Sequence, residues 1–134
     1  MKTIAAICTA LLAGGALAAM PEASARAADL TGTWDVSGTI QHGNVLFTAT
    51  PVCTFQQAGA QLTGTCKGPN ALGPAVGKVE GANVAWQADV KAYTAVGYTG
   101  ILSFRGTMGP DGVIRGIMTA AGVPGSGPFT EQRR

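Results

Sequence analysis

The stretch PVCTFQQAGAQLTGTC, residues 51–66, places Cys53 and Cys66 on either side of a turn signal at Gly59-Ala60. Glycine at the first of two central turn positions suits a type II′ hairpin, which sets Ala58 opposite Gln61. Counting outward, 57 faces 62, 55 faces 64 and 53 faces 66. Antiparallel pairs alternate between hydrogen-bonded and non-hydrogen-bonded, starting here from a bonded 58–61 pair. The two cysteines therefore fall on a non-hydrogen-bonded pair, where the chains lie closest. A disulfide fits there without moving the backbone. It would stabilise the fold by roughly 3 kcal/mol in the chain-entropy model, and by less in a hairpin that already forms locally. Neither a C-x-x-C pair nor a histidine cluster accompanies these thiols, so a redox or metal role has no support.

The same turn logic extends along the chain. Gly43-Asn44 joins a first strand to a second and sets Trp34 opposite Cys53, beside the disulfide. Gly81-Ala82 pairs Val79 with Val84 and Gly77 with Trp86. At GPDG, residues 109–112, a two-residue turn on Asp111-Gly112 would put Arg115 on the face of Leu102, Phe104 and Met108. A type I turn on Pro110-Asp111 with Gly112 as a left-handed bulge instead pairs Met108 with Ile114, Gly106 with Gly116 and Phe104 with Met118. That register leaves Arg105 and Arg115 in solvent, and a one-residue slip would bury a charge. Short alternating runs between regular turn signals, with no sustained helical period, predict eight strands: 31–41, 45–57, 61–67, 75–80, 83–91, 97–109, 113–119 and 126–132. Their expected inward residues are Trp34, Val36, Phe55, Leu62, Val79, Val84, Trp86, Leu102, Phe104, Met108, Ile114, Met118 and Phe129. Gly77, Gly106 and Gly116 among them leave either room for a ligand or a close backbone approach.

Residues 1–27 read as a secretory signal peptide: Lys2, an apolar run from Thr3 to Met20, then small residues with exits after Ala25 or Ala27. Residues 28–134 form one domain, and its single core is within reach of a chain of about 107 residues. From Ala28 onward seven basic residues face six acidic ones, a net charge of +1. No basic run or aromatic-basic interleaving points to nucleic acid. No membrane span remains once the leader is removed. The expected location is the periplasm or the medium, and the setting suits a disulfide.

Eight consecutive antiparallel strands close as an up-and-down barrel, which removes exposed edges from a sheet so poor in charge. Successive connections alternate between two ends. The tight turns at 59–60, 81–82 and 109–112 share one end. The other carries the segments 67–74, 92–96 and 120–127, together with the short turn beside His42. A tight end and an open end are what a ligand-binding barrel shows, with its mouth at the open end.

The opening TGTW of the first strand (31–34) and the closing FTEQRR (129–134) resemble the calycin group of lipocalins, avidins and small bacterial proteinase-inhibitor barrels. The resemblance implies that Trp34 packs under the basic Arg133 and seals the tight end, a cation–π contact worth roughly 1 kcal/mol. LTGTW, LTGTC (62–66), VAW (84–86), SFRGTM (103–108) and FTEQ are similar to avidins. This chain departs from that pattern where biotin chemistry would sit: Cys66 replaces a tyrosine, and Phe104 and Met118 stand in stretches that use tryptophan. Only Trp86 keeps a matching cage position, so biotin is not the expected ligand. Likeness at the level of fold does not carry function.

No serine, cysteine or threonine is spaced with a base and an orienting group, so no nucleophilic catalysis is expected, and neither a metal site nor a cofactor. Asp35 and Glu131 meet where the first and last strands close, and a surface role near arginine is expected for both. Trp86, Tyr93, Tyr98, Phe104, Met118 and His42 are the candidates for contact with a ligand at the open end. The functional expectation is an exported, non-enzymatic barrel that binds a small apolar or amphipathic molecule. The alternatives are a protein-interaction barrel such as a protease inhibitor, presenting loops or the arm AADL (27–30), and a structural envelope protein.

Overall fold

The computed structural model describes residues 27–93 and 97–134. Apart from Ala27, the expected signal peptide lies outside the described residues. The described chain is all-β. Its strands are β1 (Gly32–His42), β2 (Val45–Ala49), β3 (Val52–Ala58), β4 (Gln61–Lys67), β5 (Ala71–Glu80), β6 (Asn83–Ala92), β7 (Gly100–Met108), β8 (Ile114–Ala120) and β9 (Val123–Arg133). Each pairs antiparallel with its sequence neighbour from β3 to β9. β1 pairs with β2 and β3 on one side and with β9 on the other, which closes an eight-position barrel.

The strand expected over 45–57 is two strands because of Pro51. Proline has no amide to give the ladder, so pairing with β1 lapses at Thr50-Pro51. The register survives the break. Gly38 faces Ala49 before it and Trp34 faces Cys53 after it, while Val36 N–H still donates to the carbonyl of Pro51.

Two segments expected as loops are strands. β5 begins at Ala71, and Pro74 lies inside it opposite Thr65. The missing amide of Pro74 falls on the β6 side, where pairing skips from Leu72–Lys91 to Ala75–Ala88. The proline interrupts one ladder and leaves the other whole. Likewise β9 starts at Val123, straight after a tight turn at Ala121-Gly122, with an irregularity between Met118 and Ala120 absorbing the Gly/Pro-rich run. The open end therefore has one long connection, residues 93–99.

The other registers are those the turns predict. Cys53 and Cys66 face each other as a disulfide with Cα atoms 4.0 Å apart. Val79 faces Val84, Gly77 faces Trp86 and Met108 faces Ile114. Gly112 has a φ of 80°, as the bulge requires, and Arg115 points outward to pair with Asp111 at 2.8 Å. The expected inward residues are buried, save Met108, which is half-buried.

The tight end is sealed from both termini of the barrel. Arg133 lies over the ring of Trp34, 4.5 Å from its centroid, and its two terminal nitrogens donate to the carbonyls of Thr31 and Asp29. Trp34 Nε1 donates to Leu30 O at 2.9 Å. The arm before β1 is packed across this end. Leu30 is fully buried, its N–H donates to Gln57 Oε1, Gln57 Nε2 donates to Ala28 O, and Ala28 N–H reaches Gly81 O.

Replacing Arg133 by alanine removes the cation–π contact and leaves two carbonyls without a charged donor. The expected cost is about 2 kcal/mol, read as a lower urea midpoint at unchanged slope. Arg133→Lys, which keeps the charge but not the fork, is expected to lie between the two.

Candidate functional site

The middle of the barrel is filled by aromatic rings. Trp86 stacks on Phe104 with centroids 4.1 Å apart, Phe55 meets the edge of Trp86 at 5.1 Å, and Phe129 meets Phe104 at 5.0 Å. Met118 is fully buried beside them. The inward glycines serve close approach and do not leave room for a ligand. A Cβ on Gly77 would run into Trp86 and the Ala85 carbonyl, and one on Gly106 would come within 2.6 Å of the Arg115 carbonyl.

At the open end a hollow remains, about 360 Å³ in volume. One wall is the unbroken run from Leu46 to Pro51. The facing wall is the β4–β5 turn, Gly68 to Ala71, and buried Cys66, Val90 and Leu102 contribute to its lining. Phe47 and Tyr98 stand at its rim as an edge-to-face pair, 5.0 Å between centroids. Tyr98 Oη donates to Ala121 O at 2.7 Å, which ties the long connection to the β8–β9 turn, and burial raises its phenol pKa. None of the lining side chains is charged at neutral pH. That suits a neutral ligand, because a desolvated charge would find no partner there.

Comparison of the chain with family models, curated proteins and solved structures found no match.

Of the six candidate contact residues, only Tyr98 lines the hollow. Trp86, Phe104 and Met118 belong to the filled interior. Tyr93 is exposed and braces the rim from outside, its hydroxyl donating to Gly68 O and its amide to Asn70 O. His42 ends β1 opposite Val45, exposed and outside the lining. Sequence reading missed Phe47, Val90 and Leu46. Phe47 lies opposite Ile40, which alternation from Trp34 and Val36 turns inward, and the register set by the 43–44 turn carries that position to Phe47.

A second concavity of about 600 Å³ lies on β5–β8, lined by Lys78, Ala85, Ser103, Arg105 and Ile117 and, of the candidate contact residues, also by Trp86 and Phe104. It is an open depression in a solvent-facing sheet. Among the described residues no three of His, Cys, Asp and Glu group as metal ligands, and no helix is long and apolar enough to cross a membrane.

Asp35 and Glu131 take different environments. Asp35 faces solvent and pairs with Arg134 at 3.0 Å, as expected. Glu131 does not lie at the surface. It points into the barrel at 0% exposure, accepts a bond from Trp86 Nε1 at 3.0 Å through Oε1, and its Oε2 has no partner among the described residues. Alternation explains the difference: Phe129 is inward, so Glu131 two residues on must be inward too. Burial raises its pKa to about 7, with the Trp86 bond opposing the shift.

The folded state thus holds this proton more tightly than the unfolded chain does. The stabilisation is complete below about pH 4.5 and is lost as pH rises through about 7. A fall of about 3 kcal/mol in unfolding free energy is expected between pH 4.5 and 8. Glu131→Gln should flatten that profile, as measured by urea denaturation across the range.

Proposed function

We propose that the chain is an exported, non-enzymatic barrel that binds a small apolar or amphipathic molecule in the hollow at its open end. One observation carries the reading: the uncharged hollow of about 360 Å³ between β2 and the β4–β5 turn, beside a barrel interior that is otherwise packed. Its size lies at the lower end of ordinary ligand pockets. Transfer of apolar ligand surface from water onto Leu46, Phe47, Val90 and Leu102 supplies the driving force, at roughly 25 cal/mol per Å² buried. The rim pair Phe47–Tyr98 gives a flat apolar face to an entering ring or chain. Export is supported by the leader-like residues 1–27 and by the Cys53–Cys66 disulfide, a bond that persists in oxidising compartments. The seal of Arg133 over Trp34 supports a calycin-like relationship.

The test uses the neutral fluorescent probe N-phenyl-1-naphthylamine with the domain from Ala28. Saturable one-to-one binding is expected. Ala71→Trp, which fills the hollow from the first residue of β5, is expected to weaken it at least tenfold while the melting temperature stays within a few degrees. Absence of saturable binding, or equal binding by the filled variant, would reject the reading. Native mass spectrometry of the protein from its own producer would show the natural ligand as an extra mass lost on denaturation.

A further inference from the structure

The two walls of the hollow differ in how their backbone groups are used. On the β4–β5 turn Gly68 N–H donates to Ala71 O, and the carbonyls of Gly68 and Asn70 accept from Tyr93. That wall is largely satisfied. β2 is paired on one side only. The two-residue turn at 43–44 makes His42–Val45 a bonded pair, so Val45, Phe47 and Ala49 turn their amides and carbonyls towards β1. Leu46 and Thr48 turn theirs the other way. Further along the same side, Val52, Thr54 and Gln56 meet Lys67, Thr65 and Thr63 of β4. β4 ends at Lys67, so the edge continues past it without a partner strand, and among the described residues nothing bonds the backbone of Leu46 or Thr48.

Free strand edges are usually blunted by charge, proline or a covering element. β2, VLFTA, carries no charge and no proline, and its Val45 and Leu46 are 63% and 62% exposed. The edge borders the uncharged hollow. Groups on alternate residues of a strand repeat about every 6.8 Å, the spacing of an extended peptide.

We infer that the molecule held in the hollow is peptide-like: a short, uncharged, extended amide that pairs with the backbone of Leu46 and Thr48 and seats an apolar side chain between β2 and the β4–β5 turn. This rests on the hollow being a ligand site and names the class of its ligand. Charged peptide termini fit poorly, because the lining offers no opposite charge.

The probe is N-acetyl-leucyl-leucine methylamide, titrated alongside N-phenyl-1-naphthylamine and an analogue of the dipeptide methylated at its central amide nitrogen. The expected result is saturable dipeptide binding, a roughly tenfold loss on N-methylation, and movement of the Leu46 and Thr48 amide resonances. Thr48→Pro deletes one free donor and leaves the backbone bonds to β1 intact; it also removes the Thr48–Thr39 hydroxyl contact at 3.4 Å, which Thr48→Val removes alone and which serves as the control. Thr48→Pro should weaken the dipeptide and spare the naphthylamine, with folding checked by thermal melting. Naphthylamine binding without dipeptide binding, or equal affinity for the methylated analogue, would overturn the inference and leave the uncharged hollow standing as a ligand site. Failure of both probes would remove the hollow as a site and the inference with it.

Discussion

The pairing of β1 with β9, from Trp34–Arg133 to Gly38–Phe129, closes the sheet on itself, and the guanidinium of Arg133 over the Trp34 ring pins that seam at its tight end. A charge-poor antiparallel sheet that failed to close would present two bare edges. Closure also decides where the N-terminal arm goes. Arg133 holds the carbonyls of Asp29 and Thr31, so Leu30 lies across the end as a lid of the core. Gly32 belongs to the same arrangement, since a Cβ there would come within 2.7 Å of Arg133 Nη1.

The other side of β1 is less uniform, and Pro51 is the reason. Below the proline, β3 passes its ladder on to β4, and the disulfide locks that hairpin two residues past Pro51. Above it, β2 follows β1 while β4 has already turned at Gly68. The gap between them is the hollow. The early end of β4 at Lys67, while β2 still follows β1, thus leaves a wall open in a barrel otherwise packed by Phe55, Trp86, Phe104 and Phe129.

Much of this architecture was legible in the sequence because short turns fix register. Gly59-Ala60 places Cys53 on Cys66, and the Gly112 bulge keeps Arg105 and Arg115 outside. What escaped were residues whose chemistry argued against their position. Pro74 and the run from Val123 to Gly127 read as loops, since proline and glycine punctuate strands. A proline costs only the ladder its nitrogen faces, and composition does not say which side that is. Glu131 was misplaced as well. A surface role near arginine was expected of it, whereas alternation from the inward Phe129 turns it into the barrel. The indole N–H of Trp86, 45 residues away, is the bond that alternation alone does not reveal. The hollow escaped because it depends on where β4 ends relative to β2, a matter of three-dimensional divergence.

The raised pKa of Glu131 and the aromatic stack are one construction. Trp86 uses its ring to stack on Phe104 and its N–H to hold Glu131 Oε1, so the carboxyl is anchored to the residue that fills the barrel's middle. Neither Glu131 nor any ring of that stack lines the hollow. Ionising Glu131 puts a buried charge on a carboxylate whose Oε2 has no partner among the described residues. The hollow is lined by β2, the β4–β5 turn and the residues around Tyr98, together with Cys66, Val90 and Leu102. The pH-sensitive carboxyl therefore sits at the β1–β9 seam, and the hollow is lined without a side chain that ionises near neutral pH.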